Sequence, residues 1–246
     1  MFPAIAHIAS LASLLVTVLA AGPEEGNLLA RDKRALAPLQ TYVGGWRGVG
    51  LLKRGSNAGA WTESFEWAWR FQKGRAELVA QLHDDKYYEQ LRLQPGEKPG
   101  QFVLLASGHV DEQAAPPQQF TGALKDDALI VAALKPAPGR PARISVRLVA
   151  GGDRMLVLYE QQIAEGVYSR LAEIGSTRKG SSFAKNAASG PQCVVTGGLG
   201  TIAVTHDGQT YYVCCTGCRD LFLEDPQGVL AEYRERKAAE RAHEKK

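Results

Sequence analysis

The sequence predicts a mainly β protein, in which an antiparallel meander closes into a barrel and a small β-hairpin plus helix carries the cysteines. Two observations lead to this fold class. Between residues 35 and 180, apolar and polar residues alternate with a period of two, and short turns containing Gly or Asp interrupt the pattern. All four cysteines lie within residues 193–218, after a short polar stretch at residues 181–190.

Composition narrows the class of protein. The 246 residues are enough for one large or two ordinary domains, and 45% apolar with 22% charged residues excludes a disordered chain. A net charge of +3 argues against a nucleic-acid partner. Because the four cysteines are clustered, a disulfide-dense secreted scaffold is also excluded.

Residues 1–21 are typical of a secretory signal. The uncharged apolar run at residues 11–20 ends in Val18-Leu19-Ala20, which suits cleavage after a small residue. A retained membrane anchor is the alternative, since residues 1–22 are just long enough to span a bilayer. We therefore expect an exported protein, periplasmic or extracellular, that meets the membrane only if this segment is retained. Residues 22–34 are predicted to be a linker.

The barrel prediction for residues 35–180 starts from the clearest strand, residues 61–71. Its apolar side chains fall on one face, which only Glu63 interrupts. A meander of this many strands usually closes, because closure removes its exposed edges. The apolar face carries Trp61, Phe65, Trp67, Trp69 and Phe71. Further strands are predicted at residues 77–82, 87–93, 102–108, 119–124, 128–134, 144–149, 155–161 and 167–176.

Two short motifs make this region resemble the lipocalin-like (calycin) barrels. Gly44-Gly45-Trp46 stands near the first strand, and Arg178 follows the last one. The resemblance implies that Gly44-x-Trp46 opens the barrel and that the Arg178 guanidinium stacks on the Trp46 ring at the closed end. Such a cation–π contact contributes about 0.5–2 kcal/mol.

The barrel region carries no recognisable catalytic motif. A nucleophile elbow, a His-Glu-x-x-His motif and a Gly-rich phosphate loop are all missing from its sequence, so we do not expect an enzyme. Its two histidines, His83 and His109, are candidate haem ligands or ordinary surface residues. The aromatic face could line a cavity for a small apolar ligand, or it could be filled core.

Residues 191–246 form a second unit behind the linker at 181–190. Asp207-Gly208 between two β-type runs predicts a hairpin, and Asp225-Pro226 predicts the start of a final helix. The cysteine spacing Cys193-x20-Cys214-x3-Cys218 resembles the TRASH/YHS family of small heavy-metal-binding modules. The other matching pieces are Thr196-Gly197, Tyr211-Tyr212-Val213, Gly217, Phe222 and Asp225-Pro226.

The resemblance implies that Cys193, Cys214 and Cys218 bind one metal ion, and thiolates favour a soft ion such as Zn(II) or Cu(I). Cys215 is the alternative ligand, because Cys215-x-x-Cys218 is also a common zinc spacing. If strand geometry continues through Cys214 and Cys215, their side chains point to opposite sides. A fourth ligand could be Cys215, His206 or water.

Two other interpretations of the cysteines stay open. In an oxidising compartment Cys193 could form a disulfide with Cys214 or Cys218, or the module could have lost its metal and serve only as a fold. The sequence thus predicts an exported protein that binds, buffers or senses a soft metal. The alternative function is a barrel that carries an apolar ligand or haem, with a structural cysteine module.

Overall fold

The computed structural model describes residues 23–110, 113–114, 116–180 and 190–244. The predicted signal segment, residues 1–21, and residues 181–189 of the predicted linker lie outside this part of the chain. Among the helices it describes, none is both long and apolar enough to cross a membrane.

The elements follow the chain in the order of barrel, hairpin and helices. The helices are α1 Pro23–Leu36, α2 Thr216–Glu224 and α3 Pro226–Glu244, with 3₁₀ helices at Ala37–Tyr42 and Ala150–Gly152. The first strands are β1 Gly44–Leu51, β2 Trp61–Gln72, β3 Arg75–His83, β4 Gln90–Pro95, β5 Gln101–Ser107, β6 His109–Val110 and β7 Gln113–Ala114. The later strands are β8 Gln118–Lys125, β9 Ala128–Ala133, β10 Arg143–Val149, β11 Arg154–Ala164, β12 Val167–Arg178, β13 Ile202–His206 and β14 Gln209–Val213.

Ten strands form a closed antiparallel barrel, which confirms the predicted fold class. Each barrel strand pairs with the next one along the chain, except that β5 pairs with β8 and β6–β7 form a separate small ribbon between them. Pairing of β1 with β12 closes the sheet, with Trp46 opposite Arg178. Closure leaves the ten strands without a free first or last member, which is the physical advantage of this topology.

The predicted alternation in β2 is confirmed, and it fills the barrel. Phe65, Trp67 and Trp69 are all buried at 2–4% exposure, whereas Glu66 between them is exposed. Glu63, the polar residue that interrupts this face, is also turned inward and only 3% exposed. The inward row is therefore apolar over most of its length and ends in a buried carboxyl group.

The end of the barrel at which β1 begins is closed by a plug. The 3₁₀ helix Ala37–Tyr42 buries Leu39 and Tyr42, and the Tyr42 hydroxyl donates to the Val146 carbonyl at 3.1 Å. The Arg178 guanidinium lies 4.3 Å from the centroid of the fully buried Trp46 ring, which confirms the predicted stacking. It also donates to the carbonyl oxygens of Val43, Thr41 and Gly152, so it ties β12 to the plug.

The prediction of a linker at residues 22–34 is wrong, because most of this segment belongs to helix α1. The Asp32 side chain is completely buried, and it accepts a hydrogen bond at 2.5 Å from the Arg75 guanidinium and one at 3.3 Å from the Ala76 amide. These contacts hold the helix against β3. The charged sequence of this segment suggested a solvated linker. The buried Asp32, however, has its partners on β3, more than forty residues away in the chain.

The cysteine module lies against the closed end of the barrel. Strand β2 is longer than β1, whose pairing with it ends at Gly44 opposite Trp67, so residues 68–72 have no β1 partner. Helix α2 occupies this side of β2: a Cβ atom at position 217 would collide with the Trp69 carbonyl oxygen, so only glycine fits. On the other side of the module, Lys33 of α1 forms a 2.7 Å ion pair with Glu232 of α3. Whether the barrel and the module fold independently stays a prediction.

Candidate metal centre

Three cysteine sulfurs converge at the junction of the hairpin, α2 and the loop before β13. The sulfurs of Cys193, Cys214 and Cys218 all lie within 4.8 Å of one another, and that of Cys214 is 3.5 Å from that of Cys218. All three residues are buried, Cys193 and Cys218 completely. The spacing in the sequence produces this arrangement because Cys214 directly follows β14 and Cys218 lies one helical turn further, in the first turn of α2.

The hairpin forms as its turn residues predict. Asp207 and Gly208 both have positive φ, 49° and 74°, as a two-residue type I′ turn requires. This turn pairs Ile202 with Val213 at the base of the hairpin, next to the cysteines. The turn chemistry at one end of the hairpin therefore sets the position of Cys214 at the other.

The loop that carries Cys193 is held by backbone hydrogen bonds and by one arginine. Within the loop, the Cys193 amide donates to the Gly198 carbonyl at 2.6 Å and the Gly197 amide donates back to Cys193 at 2.9 Å. From α3, the Arg236 guanidinium donates to the carbonyl oxygens of Cys193 at 3.1 Å and Val194 at 3.0 Å. These contacts fix the backbone of the loop that carries the Cys193 sulfur.

The barrel plug also contributes to this loop. The Thr196 hydroxyl is 3.5 Å from the Cys214 sulfur, and it is hydrogen-bonded to the Gln40 amide of the plug at 3.0 Å. A separate hydroxyl, that of Thr201, donates to the Cys214 carbonyl at 3.2 Å. Cys214 is thus positioned by hydroxyl groups on two sides.

Cys215 occupies a different place from the other three cysteines. Its sulfur accepts the backbone N–H of Trp69 in β2 at 3.3 Å, so it faces the barrel. Strand β14 ends at Val213, so strand alternation no longer governs Cys214 and Cys215, and their sulfurs are only 3.9 Å apart. The expected separation to opposite sides is therefore not seen, although Cys215 does not join the close group of three.

His206 does not belong to the close group either. Its ring packs edge-on against Phe222 at 6.1 Å, and its Nε2 atom lies 3.3 Å from an Asp207 carboxylate oxygen. This histidine stands at the turn end of the hairpin, whereas the cysteines gather at the opposite end. Among the residues that the structure describes, no histidine joins the group of three sulfurs.

The four thiols cannot all ionise in the protein alone. Hydrogen bonds from the Cys214 and Cys218 thiols lower the pKa values of Cys193 and Cys215. The same contacts raise the pKa of Cys214, and burial, then hydrogen bonding, raises that of Cys218. Cys214 and Cys218 therefore keep their protons when no cation is bound. A cation that replaced these protons would reduce the repulsion between neighbouring thiolates. The N-terminus of α2, at Cys215 and Cys218, adds a favourable field for negative sulfur.

The residues fit a soft metal ion. Sulfur is the preferred donor of Zn(II) and Cu(I), and three buried sulfurs within 4.8 Å of one another are close enough to share one ion. All four cysteines are free thiols in the structure, so it does not contain the alternative disulfide between Cys193 and Cys214 or Cys218. The arrangement can hold an ion.

Of the two histidines considered as haem ligands, His83 does not line the barrel interior. His83 is exposed at the end of β3, and the side chain of His109 lies outside the described residues. Sequence reasoning also missed two groups: Arg236, which supports the Cys193 loop, and the pair formed by the buried Glu63 and the half-buried Asp85. The only sequence signal for that pair was Glu63 on an otherwise apolar strand face.

Comparison with known proteins does not identify the chain. No family model matches it, and no curated protein matches it. Among solved structures, it is similar to that described as the crystal structure of Rv2717c from M. tuberculosis, with 14% identity, 59% of this chain and 97% of that chain covered, and a TM-score of 0.34. A likeness of this size says nothing about function. The TRASH/YHS and lipocalin resemblances therefore rest on the motifs in the sequence alone.

Proposed function

We propose that this protein binds one soft transition-metal ion, Zn(II) or Cu(I), through Cys193, Cys214 and Cys218. The observation that carries the proposal is the convergence of these three buried sulfurs within 4.8 Å, at the spacing of the TRASH/YHS modules. As an exported protein, with residues 1–21 as its signal, it would bind, buffer or sense the metal outside the cytoplasm. A closed thiolate site favours this binding role over catalysis.

The choice between the two metals depends on the fourth position. Cu(I) is satisfied by three thiolates, whereas structural zinc prefers four ligands. The Cys215 sulfur, 3.9 Å from that of Cys214, is the nearest reserve donor, and water is the other. Affinity for Cu(I) without dependence on Cys215 would therefore indicate a three-sulfur site.

The test is a metal titration of the reduced full-length mature chain. Zn(II) and Cu(I) are titrated against competing chelators, and we expect about one ion per chain, as three sulfurs sharing one site predict. Cys193→Ser and Cys218→Ser should each lower the affinity by about a hundredfold or more, because a hydroxyl is a poor substitute for a thiolate. Circular dichroism of each variant checks that it is folded.

Cys215→Ser is the matched control, since it removes a buried thiol from the same turn. It should change the affinity much less than Cys193→Ser. If Cys215→Ser abolished binding and Cys214→Ser did not, Cys215 would replace Cys214 among the ligands. If none of the four substitutions altered the metal content, the proposal would be refuted.

A further inference from the structure

The barrel contributes one side chain to the surroundings of the metal centre, Gln40 of the plug. Its amide group lies directly against the loop that carries Cys193, because a Cβ atom at position 198 would collide with it. Gln40 and its partner in the loop, Thr196, are both half-buried and are 156 residues apart in the chain. The metal centre therefore has a contact with the barrel that the cysteine spacing does not reveal.

The hydrogen bonds around Gln40 decide which way its amide group points. With its oxygen towards the loop, the amide accepts the Thr196 O–H at 3.0 Å and the Gly198 backbone N–H, and its NH2 group donates to the Thr196 carbonyl at 3.0 Å. In the reverse orientation, the NH2 group faces the Gly198 N–H and the amide oxygen faces the Thr196 carbonyl. The first orientation is favoured, because it gives each donor an acceptor.

The Thr196 hydroxyl also lies beside one of the three converging sulfurs. Its oxygen is 3.5 Å from the Cys214 sulfur, and either atom can be the donor of this contact. A hydroxyl group has one proton and two lone pairs, so it donates only one hydrogen bond at a time. When its proton is donated to Gln40, the contact with Cys214 is completed by the thiol S–H, which donates to the Thr196 oxygen.

A bound metal would remove this thiol donor. A cysteine binds a metal as the thiolate, which has no proton and only accepts hydrogen bonds. The Thr196 O–H group then has two competing acceptors, the Cys214 sulfur and the Gln40 amide oxygen. The sulfur is the stronger acceptor in this state, because hydrogen bonds to charged groups are stronger than those between neutral groups.

We propose that Thr196 and Gln40 are positioning residues that set the metal affinity through the direction of one hydrogen bond. On metal binding the Cys214 S–H bond breaks, its proton goes to solvent and a metal–sulfur bond forms. The Thr196 O–H then turns from Gln40 to the Cys214 thiolate, while the Gln40 oxygen keeps the Gly198 N–H. Gln40 thus stabilises the metal-free state and the Thr196 hydroxyl stabilises the metal-bound state, an inference that rests on the proposed function.

The experiment measures the Zn(II) affinity of the full mature chain and its variants by competition with a chelator. Thr196→Val keeps the shape of the side chain without its hydroxyl, and it should lower the affinity by about tenfold, as is typical for the loss of a group that supports a metal ligand. Thr196→Ser keeps the hydroxyl and should bind like the wild type. Thr205→Val replaces an exposed threonine of β13, and this matched control should also bind like the wild type.

Gln40→Met distinguishes competition for the hydroxyl from a merely structural role. It removes the competing acceptor and should raise the affinity by about threefold, as the loss of one neutral hydrogen bond from the metal-free state predicts. Combined with Thr196→Val it should have no further effect, because no hydroxyl is left to compete for. If Gln40 only supported the loop through Gly198, the substitution would instead lower the affinity in both backgrounds.

Co(II) loading gives a readout that does not depend on affinity. A hydrogen bond to a thiolate stabilises its lone pairs, so the sulfur-to-cobalt charge-transfer band should move to lower energy in Thr196→Val and stay in place in Thr196→Ser and Thr205→Val. Circular dichroism checks that each variant is folded.

Two kinds of failure can be told apart. An unshifted band in Thr196→Val, equal affinities in all variants, or a loss of affinity in Gln40→Met that persists in the double variant would each overturn this inference and leave the proposed metal binding intact. A wild-type chain that bound neither Zn(II) nor Co(II) nor Cu(I) would overturn both.

Discussion

The molecule buries two clusters of acidic groups, and it buries them in different ways. The thiols of Cys193, Cys214 and Cys218 lie between a loop, a hairpin and a helix, so three separate elements bring one sulfur each. The carboxyl of Glu63 lies inside the barrel, and that of the half-buried Asp85 meets it from the connection between β3 and β4. The first cluster depends on the docking of small elements, whereas the second depends on a closed sheet.

The two clusters also differ in what can replace their protons. The thiol cluster offers soft donors close enough for a single bare ion, and the N-terminus of α2 favours negative charge there. The carboxyl cluster lies beside the apolar side chains of the barrel interior, which leave a cavity of about 20 Å³, enough for about one water molecule. Both hold protons because burial and like charge oppose ionisation, but only the thiol cluster has soft donors that can exchange protons for a metal ion.

The largest effect should come from metal removal. With free zinc at a thousand times its dissociation constant, binding stabilises the folded protein by about 4 kcal/mol. Urea unfolding with and without a chelator measures the difference in the unfolding free energy. All four tryptophans, at positions 46, 61, 67 and 69, belong to the barrel, so their fluorescence reports barrel unfolding. A chelator effect on far-UV circular dichroism but not on this fluorescence would show that the two regions unfold separately.

The next effect is a pH dependence that belongs to the barrel cluster. Glu63 has its pKa raised to about 8 in the folded protein from 4.5. Its stabilising contribution is therefore complete below pH 4.5 and is lost as the pH rises through 8. We expect the unfolding free energy to fall by on the order of 3 kcal/mol between pH 5 and pH 9. Glu63→Gln should remove this decline; a parallel decline in the variant would assign it to another group.

Metal affinity should rise as the pH increases, whereas the unfolding free energy should fall. A substitution of Arg236 tests whether its contacts with the Cys193 loop support this affinity. Replacing Arg236 with Met removes the donors to the Cys193 and Val194 carbonyls but keeps the length of the side chain. Loss of such a supporting contact typically lowers metal affinity by about tenfold. Arg234→Met, exposed on the same helix, is the control and should have no effect. Competition titration between pH 6 and 8 measures both the tenfold loss and the rise in affinity with pH.

The smallest effect is expected at the contact between the two regions. Cys215→Ala removes the acceptor of the Trp69 amide, and loss of such a hydrogen bond costs about 1 kcal/mol of unfolding free energy. Metal affinity should stay close to that of the wild type. If Cys215→Ala lowered the free energy of metal binding by more than the free energy of unfolding, Cys215 would instead be a ligand.

The sequence predicted the barrel because its signal is local. Period-two alternation and turn residues lie within a few positions of one another, and the observed β2, Trp61–Gln72, differs from the predicted strand by one residue. The cysteine group was predictable for a similar reason, since two of its members are four residues apart. Its spacing could suggest the ligands but could not separate Cys214 from Cys215, because that depends on where β14 ends.

The features that sequence reasoning missed depend on distant contacts. The sequence of helix α1 suggested a linker, because the contact of its buried Asp32 with Arg75 on β3 is not visible in the sequence. Similarly, Arg236 contacts the carbonyl of Cys193, which lies 43 residues earlier. Asp85 had no signal of its own, because its meeting with Glu63 follows from the pairing of β2 with β3 and the connection after it. Such contacts are decided by the closed sheet, which no local pattern encodes.

The end of β2 that has no β1 partner has a consequence for solubility. Residues 68–72 extend past β1, and α2 covers them through the Cys215 sulfur and the close approach of Gly217. A strand edge without such a cover is a template for pairing with another chain. The cysteine module therefore protects the barrel from aggregation as well as carrying the sulfurs. Unfolding of the module would expose this edge of β2 to pairing with other chains.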